Sequence, residues 1–126
     1  MIPDYENKDV LEIIRKLGPY DYGKISDDGV QREKRSMQLL ENKTRYEGQW
    51  NVKTGERDGM GVLVWPDGSI YEGFWKENKA NGNGRLIHAD RDVYVGEWLN
   101  DKAHGHGVYI HSDGARYDGE WHHDKQ

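Results

Sequence analysis

One aromatic–glycine signature, returning four times at nearly constant spacing, constrains this chain more than anything else in it. Tyr46-Glu47-Gly48-Gln49-Trp50 recurs as Tyr71-Glu72-Gly73-Phe74-Trp75, as Tyr94-Val95-Gly96-Glu97-Trp98 and as Tyr117-Asp118-Gly119-Glu120-Trp121. The tryptophans are 25, 23 and 23 residues apart. A second signature follows in phase: Gly59-Met60-Gly61, Gly82-Asn83-Gly84 and Gly105-His106-Gly107. A third occupies turn positions: Asp67-Gly68, Asp90-Arg91 and Asp113-Gly114. The two additional residues of the first interval fall within Asn51 to Asp58, which marks that segment as a loop. A fixed period of this size means one supersecondary unit stacked on copies of itself.

The unit reads as a β-hairpin. Tyr, Gly and Trp at i, i+2 and i+4 share one face of a strand. Gly61-Val62-Leu63-Val64-Trp65 is short, apolar and β-prone, and Pro66-Asp67-Gly68 closes it with a turn. A glycine inside a strand carries an entropic cost, so it marks a close approach, here to a neighbouring ring. Composition supports rings as the core material. Leu, Ile, Val and Phe together number only 23 of 126 residues, a fraction typical of disordered chains, but 5 Trp and 8 Tyr supply large buried area per residue.

This pattern, YxGxW…GxGxxxxxDG over about 23 residues, resembles that of the MORN repeat family, and the resemblance runs from Tyr46 to Gln126. It implies a mainly β fold, an elongated, twisted antiparallel sheet of stacked hairpins, to which the residues upstream of the repeats add one short N-terminal helix. The units fall at 46–70, 71–93 and 94–116, with the first half of a fourth at 117–126. Arg91 stands where the family has a turn glycine, which puts that turn's geometry in question.

Upstream, 36–45 reads as a degenerate capping half-repeat. Met37-Gln38-Leu39-Leu40 aligns with Val62-Leu63-Val64-Trp65, and Asn42-Lys43 with Asp67-Gly68, giving a strand over Ser36 to Leu40. Residues 20–35 read as a linker holding the basic cluster Arg32, Lys34 and Arg35, taken as solvated. Residues 1–19 hold a helix over Lys8 to Leu17, with Val10, Ile13 or Ile14, and Leu17 on one face and Gly18-Pro19 as its stop. That helix either caps the sheet or docks a partner.

Little here looks like chemistry. The chain has no cysteine, hence no disulfide or thiolate site. No apolar run approaches the ~18 residues of a membrane span, and Met1 to Glu6 lack the features of a secretory signal, so the expected address is cytoplasmic. Net charge is -5, which disfavours nucleic acid as a partner. Of the histidines His104, His106, His111, His122 and His123, the alternating His104 and His106 could share a strand face and grip a metal. With no accompanying ligand motif they read as polar repeat positions, and no metal or cofactor is assigned. Ser69 and Ser112 read as turn caps. Glu47, Glu72, Glu97 and Glu120 read as solvated strand positions. No catalytic residues are assigned, and the chain is expected not to be an enzyme.

The expected function is therefore a scaffold for other proteins of a multi-subunit assembly. Its candidate contact surfaces are the repeat face (Tyr46, Trp50, Tyr71, Trp75, Tyr94, Trp98, Tyr117, Trp121), the helix (Val10, Ile13, Ile14, Leu17) and an open C-terminal edge, where the returning strand of the fourth unit is missing. The resemblance implies a cytoskeletal setting, with the ciliary or flagellar axoneme favoured. It also implies rivals: a membrane-tethering or phosphoinositide-binding module, or a regulatory repeat region of a larger enzyme. Residues 46–126 hold 9 Lys and Arg against 14 Asp and Glu, which makes a membrane an unfavoured partner.

Overall fold

The computed structural model describes residues 5–25 and 27–126. Met1–Asp4, part of the stretch read above as lacking a secretory signal, and Ser26, within the segment read above as a linker, lie outside them. Helix α1 (Lys8–Leu17) precedes eight strands: β1 (Arg32–Leu39), β2 (Arg45–Asn51), β3 (Arg57–Val64), β4 (Ile70–Lys76), β5 (Lys79–Ile87), β6 (Val93–Leu99), β7 (Lys102–Ile110) and β8 (Arg116–Trp121). The strands form one open antiparallel sheet in sequence order, with β1 and β8 at its edges. At ~4.8 Å per strand, the sheet runs roughly 34 Å from edge to edge.

The register explains the glycines. Gly48 pairs with Gly61, Gly61 with Gly73, Gly73 with Gly84, Gly84 with Gly96, Gly96 with Gly107 and Gly107 with Gly119, so one row of glycines crosses the sheet. Each tyrosine lies over this row. A Cβ on Gly61 would stand 2.5 Å from Tyr46 Cζ, and one on Gly84 would stand 2.5 Å from Tyr71 Cε1. The backbone is equally close: a Cβ on Gly73 would meet Gly84 Cα at 2.5 Å and the Asn83 carbonyl at 2.6 Å. Within each hairpin the register slips just past the glycine pair, a bulge beside the following Trp, and Trp75, Trp98 and Trp121 reach back to the tyrosine of the preceding unit.

The core on this face is a continuous zipper of T-shaped rings. Tyr46 contacts Trp50 and Trp75, Tyr71 contacts Trp75 and Trp98, and Tyr94 contacts Trp98 and Trp121, with centroids 5.2–5.3 Å apart. Such pairs contribute about 0.5–1.5 kcal/mol each beyond the area they bury. Their polar tips are satisfied by backbone. Tyr71 Oη donates to the Phe74 carbonyl at 2.9 Å, and Trp75 Nε1 donates to the Gly61 carbonyl at 3.1 Å. The same two bonds recur in the next units, from Tyr94 to Glu97 and from Trp98 to Gly84. Trp50 has no preceding glycine strand, and its buried Nε1 finds no partner among the described residues.

The opposite face carries a second, aliphatic cluster. Val10 of α1 is buried with Ile87 and Val93, flanked by Ile13, Ile14, Ile70, Val95 and Ile110. Asn7 caps α1 by accepting from the amides of Asp9 and Val10, while its Nδ2 donates to the Asp67 carbonyl at 3.2 Å. At the other end Arg85, almost wholly buried, pairs with Glu72 at 2.9 Å and donates to the Gly18 carbonyl at 2.9 Å. Tyr22 then stacks edge-on against Phe74 at 5.6 Å. Helix α1 thus caps the back of the sheet.

Three expectations need correction. Strand β1 starts at Arg32, not Ser36, so the basic cluster is sheet rather than linker. Arg32 bridges Asp28 (2.6 Å) and Asp58 (2.8 Å), Arg35 pairs with Glu33 and covers Trp50 at 5.1 Å, and an edge strand needs backbone pairing rather than apolar alternation. Glu72 is not solvated, because the buried Arg85 guanidinium draws it in. Each turn is capped from within by its Asp rather than by Ser: the amides of Ser69, Asp92 and Ala115 donate to Asp67, Asp90 and Asp113, while Ser69 Oγ accepts from the Ala89 amide of the next unit's turn at 2.8 Å. Arg91 keeps the turn of its glycine counterparts. Its φ of 80° matches 90° at Gly68 and 95° at Gly114, and each amide donates to the residue three before it at 2.9 Å. The strain of a side chain at positive φ is tolerated there.

Candidate functional site

The ring face is the first candidate contact surface, and the structure divides it into floor and rim. Tyr46, Tyr71 and Tyr94, with Trp50, Trp75 and Trp121, are buried. Trp98 and Tyr117 are half-buried. The ladder is therefore mostly internal, and what a partner meets is its rim. A groove of about 350 Å³ runs beside it, lined by Arg57, Leu63, Trp65, Leu86, Trp98 and Asp101 among others. Arg57 lies 5.7 Å from the Tyr46 ring and 5.1 Å from the Trp75 ring, and burial pushes its pKa down. Ala80 and Ala103 hold the corresponding strand position in the later units, so this cation marks the first unit alone.

The helix candidates are largely used within the chain. Val10 is 2% exposed, Ile13 and Ile14 are half-buried, and Leu17 is 48% exposed. Leu17 borders a cavity of about 520 Å³ between the end of α1 and the sheet, which Tyr20, Arg85 and Val95 also line.

At the C-terminal edge, β8 has one sheet neighbour, β7. Its ring is also short of company. Each earlier tyrosine touches two tryptophans, its own and that of the next unit, whereas Tyr117 touches Trp121 alone among them. A second cohesive device was not anticipated from the sequence. The tip of each hairpin latches onto the preceding one: Asn78 accepts from the Arg57 amide (2.8 Å), Asp101 from the Ala80 amide (2.7 Å) and Asp124 from the Ala103 amide (2.6 Å). The tips return amides to the carbonyls of the same three residues. Positions 78, 101 and 124 repeat at 23 residues, so their periodicity was available as a signal.

The histidines do not group as alternation implied. His106 Nε2 lies 3.0 Å from Asp118 Oδ1, across the β7–β8 pair. His104 turns instead to His122 and His123, its ring centroid 5.1 Å from each. Among the described residues no helix is long and apolar enough to cross a membrane.

The MORN repeat family model matches residues 46–70, 71–93, 94–116 and 117–126. No curated protein matches the chain. Repeats of this family serve as scaffolds or as membrane- or lipid-binding modules and are generally non-catalytic. With hairpin units, ring ladder and glycine row all in register with the matched segments, the chain belongs to the MORN repeat family.

Proposed function

We propose that this chain is a non-enzymatic repeat scaffold that joins other proteins into a multi-subunit assembly, in a ciliary or flagellar axoneme or a related cytoskeletal structure. The carrying observation is the β8 edge. There, a strand with one sheet neighbour coincides with Tyr117, the one repeat tyrosine with a single tryptophan contact. An added strand, from a further repeat, a second copy or a partner protein, would satisfy the free backbone groups and, by placing an aromatic residue on Tyr117, extend the zipper. The axonemal setting rests on family analogy alone.

The excess of carboxylates over 46–126 favours a protein partner over an anionic membrane. Arg32 and Arg35 are also engaged in ion pairs, which lowers the charge free for lipid headgroups. The scaffold reading expects self-association or strand addition at β8, with rapid amide exchange over 117–126 in the free chain. Light scattering after size exclusion, with hydrogen exchange, tests it. A strict monomer with slow-exchanging amides there contradicts the open-edge reading. Salt-sensitive flotation with phosphoinositide vesicles would support the membrane reading instead. Crosslinking in cell extract identifies the neighbours.

A further inference from the structure

We propose that His104, His122 and His123 form a three-imidazole site for a borderline divalent transition-metal ion of the zinc class, clipping the last hairpin turn to β7. One ligand atom from each residue lies within 4.8 Å of the other two. A tetrahedral ion with ~2.0–2.1 Å bonds to nitrogen needs its donors roughly 3.4 Å apart, so closure requires side-chain rotations of about an ångström. His122 and His123 are exposed and free to make them, whereas His104 is half-buried on β7.

The backbone has already brought the three together. His123 (φ 45°) and Asp124 (φ 68°) form the left-handed tip of the terminal turn, closed by mutual hydrogen bonds between His122 and Lys125. The latch from Asp124 to Ala103 fixes that tip beside His104. Glu77 and Asn100 hold the position of His123 in the earlier units, so the cluster belongs to this turn and not to the repeat.

A further observation points to a ligand. Nδ1 of His104 is buried and has no hydrogen-bond partner among the described residues. Three imidazoles suit zinc, copper or nickel better than calcium or magnesium, and with three protein ligands one position remains for water.

Calorimetric titration of the full chain with zinc chloride at pH 7.5 tests the site. The expected result is one ion per chain, at least tenfold weaker binding in both His122→Gln and His123→Asn, and unchanged binding in His106→Gln. Both informative variants alter exposed side chains, and asparagine suits the left-handed backbone at 123, so folding is retained; circular dichroism checks it. Zinc should also slow amide exchange over 117–125 in the wild type and not in His123→Asn. Absence of saturable binding, or equal losses in the His106 and His123 variants, overturns the proposal.

Discussion

The ring of Tyr71 lies over the place where a side chain on Gly84 would stand. A Cβ there would come within 2.5 Å of Tyr71 Cε1 and 2.6 Å of its Cζ. The relationship repeats between Tyr94 and Gly107, so ring and glycine are one packing unit contributed by the two strands of each hairpin.

From this follows a graded series of glycine substitutions. A ring alone could shift to admit a methyl group, but at Gly96 a Cβ would meet the His106 carbonyl at 2.6 Å as well as the Tyr94 hydroxyl at 2.8 Å, and backbone cannot give way. At Gly119, on the edge strand, the three nearest atoms to a Cβ all belong to the Tyr117 side chain, at 2.8, 3.0 and 3.5 Å. Gly96→Ala should therefore cost more than Gly119→Ala, by ~1–3 kcal/mol, as overpacking does. Gly96→Val should prevent folding. Urea midpoints for the alanine pair test the order, and a reversed order removes the steric account.

Trp75 and Trp65 separate ladder from rim. Trp75 is 5% exposed, sits between Tyr46 and Tyr71, and donates to the Gly61 carbonyl. Trp65 is half-buried at a hairpin end, where later units carry His88 and His111. Trp75→Ala should cost about 3–5 kcal/mol, with Trp65→Ala well below that. Equal denaturation midpoints would contradict the ladder as core.

The hairpin-tip latch predicts a contrast at Asp101. Asp101→Asn should be nearly neutral, because Asn78 makes the same bond in the previous unit. Asp101→Ala leaves the Ala80 amide without its acceptor and places alanine at a φ of 71°. A loss of about 1–3 kcal/mol is expected. Thermal melts of the two variants measure it, and an alanine variant as stable as the asparagine one would show the latch to be idle.

Asp92 sets part of the acid response. It accepts from the Tyr109 hydroxyl at 2.6 Å and the Ser112 amide at 2.8 Å, and the phenol bond first of all holds its pKa below the ordinary carboxylate value. A carboxyl depressed on folding adds stability that is complete above its unfolded pKa of about 3.9 and is lost as pH falls through the folded value. Stability should drop below pH ~4, and Tyr109→Phe should shrink that drop while leaving the curve above pH 5 parallel. Urea midpoints from pH 6 to pH 2.5 show whether it does. Identical acid slopes in wild type and variant would exclude Asp92 as a contributor.

Much of this architecture is legible in the residues because each unit's contacts are local or one unit away. The i, i+2, i+4 spacing of Tyr46, Gly48 and Trp50 places them on one strand face, and a 23-residue period forces every copy into the same register. Helix α1 matches its sequence bounds, Lys8 to Leu17, because its stop signal is chemical. Tertiary structure decided what depends on contacts outside the period. Val10 found Ile87 and Val93 across more than seventy residues, and Arg85 drew Glu72 and the Gly18 carbonyl into a buried cluster. His104 met His122 and His123 rather than His106, because a docked turn, not strand alternation, sets that proximity. Periodicity fixes what repeats. Where a non-repeating segment lands depends on which unsatisfied surface the finished sheet leaves for it, and no local spacing encodes that.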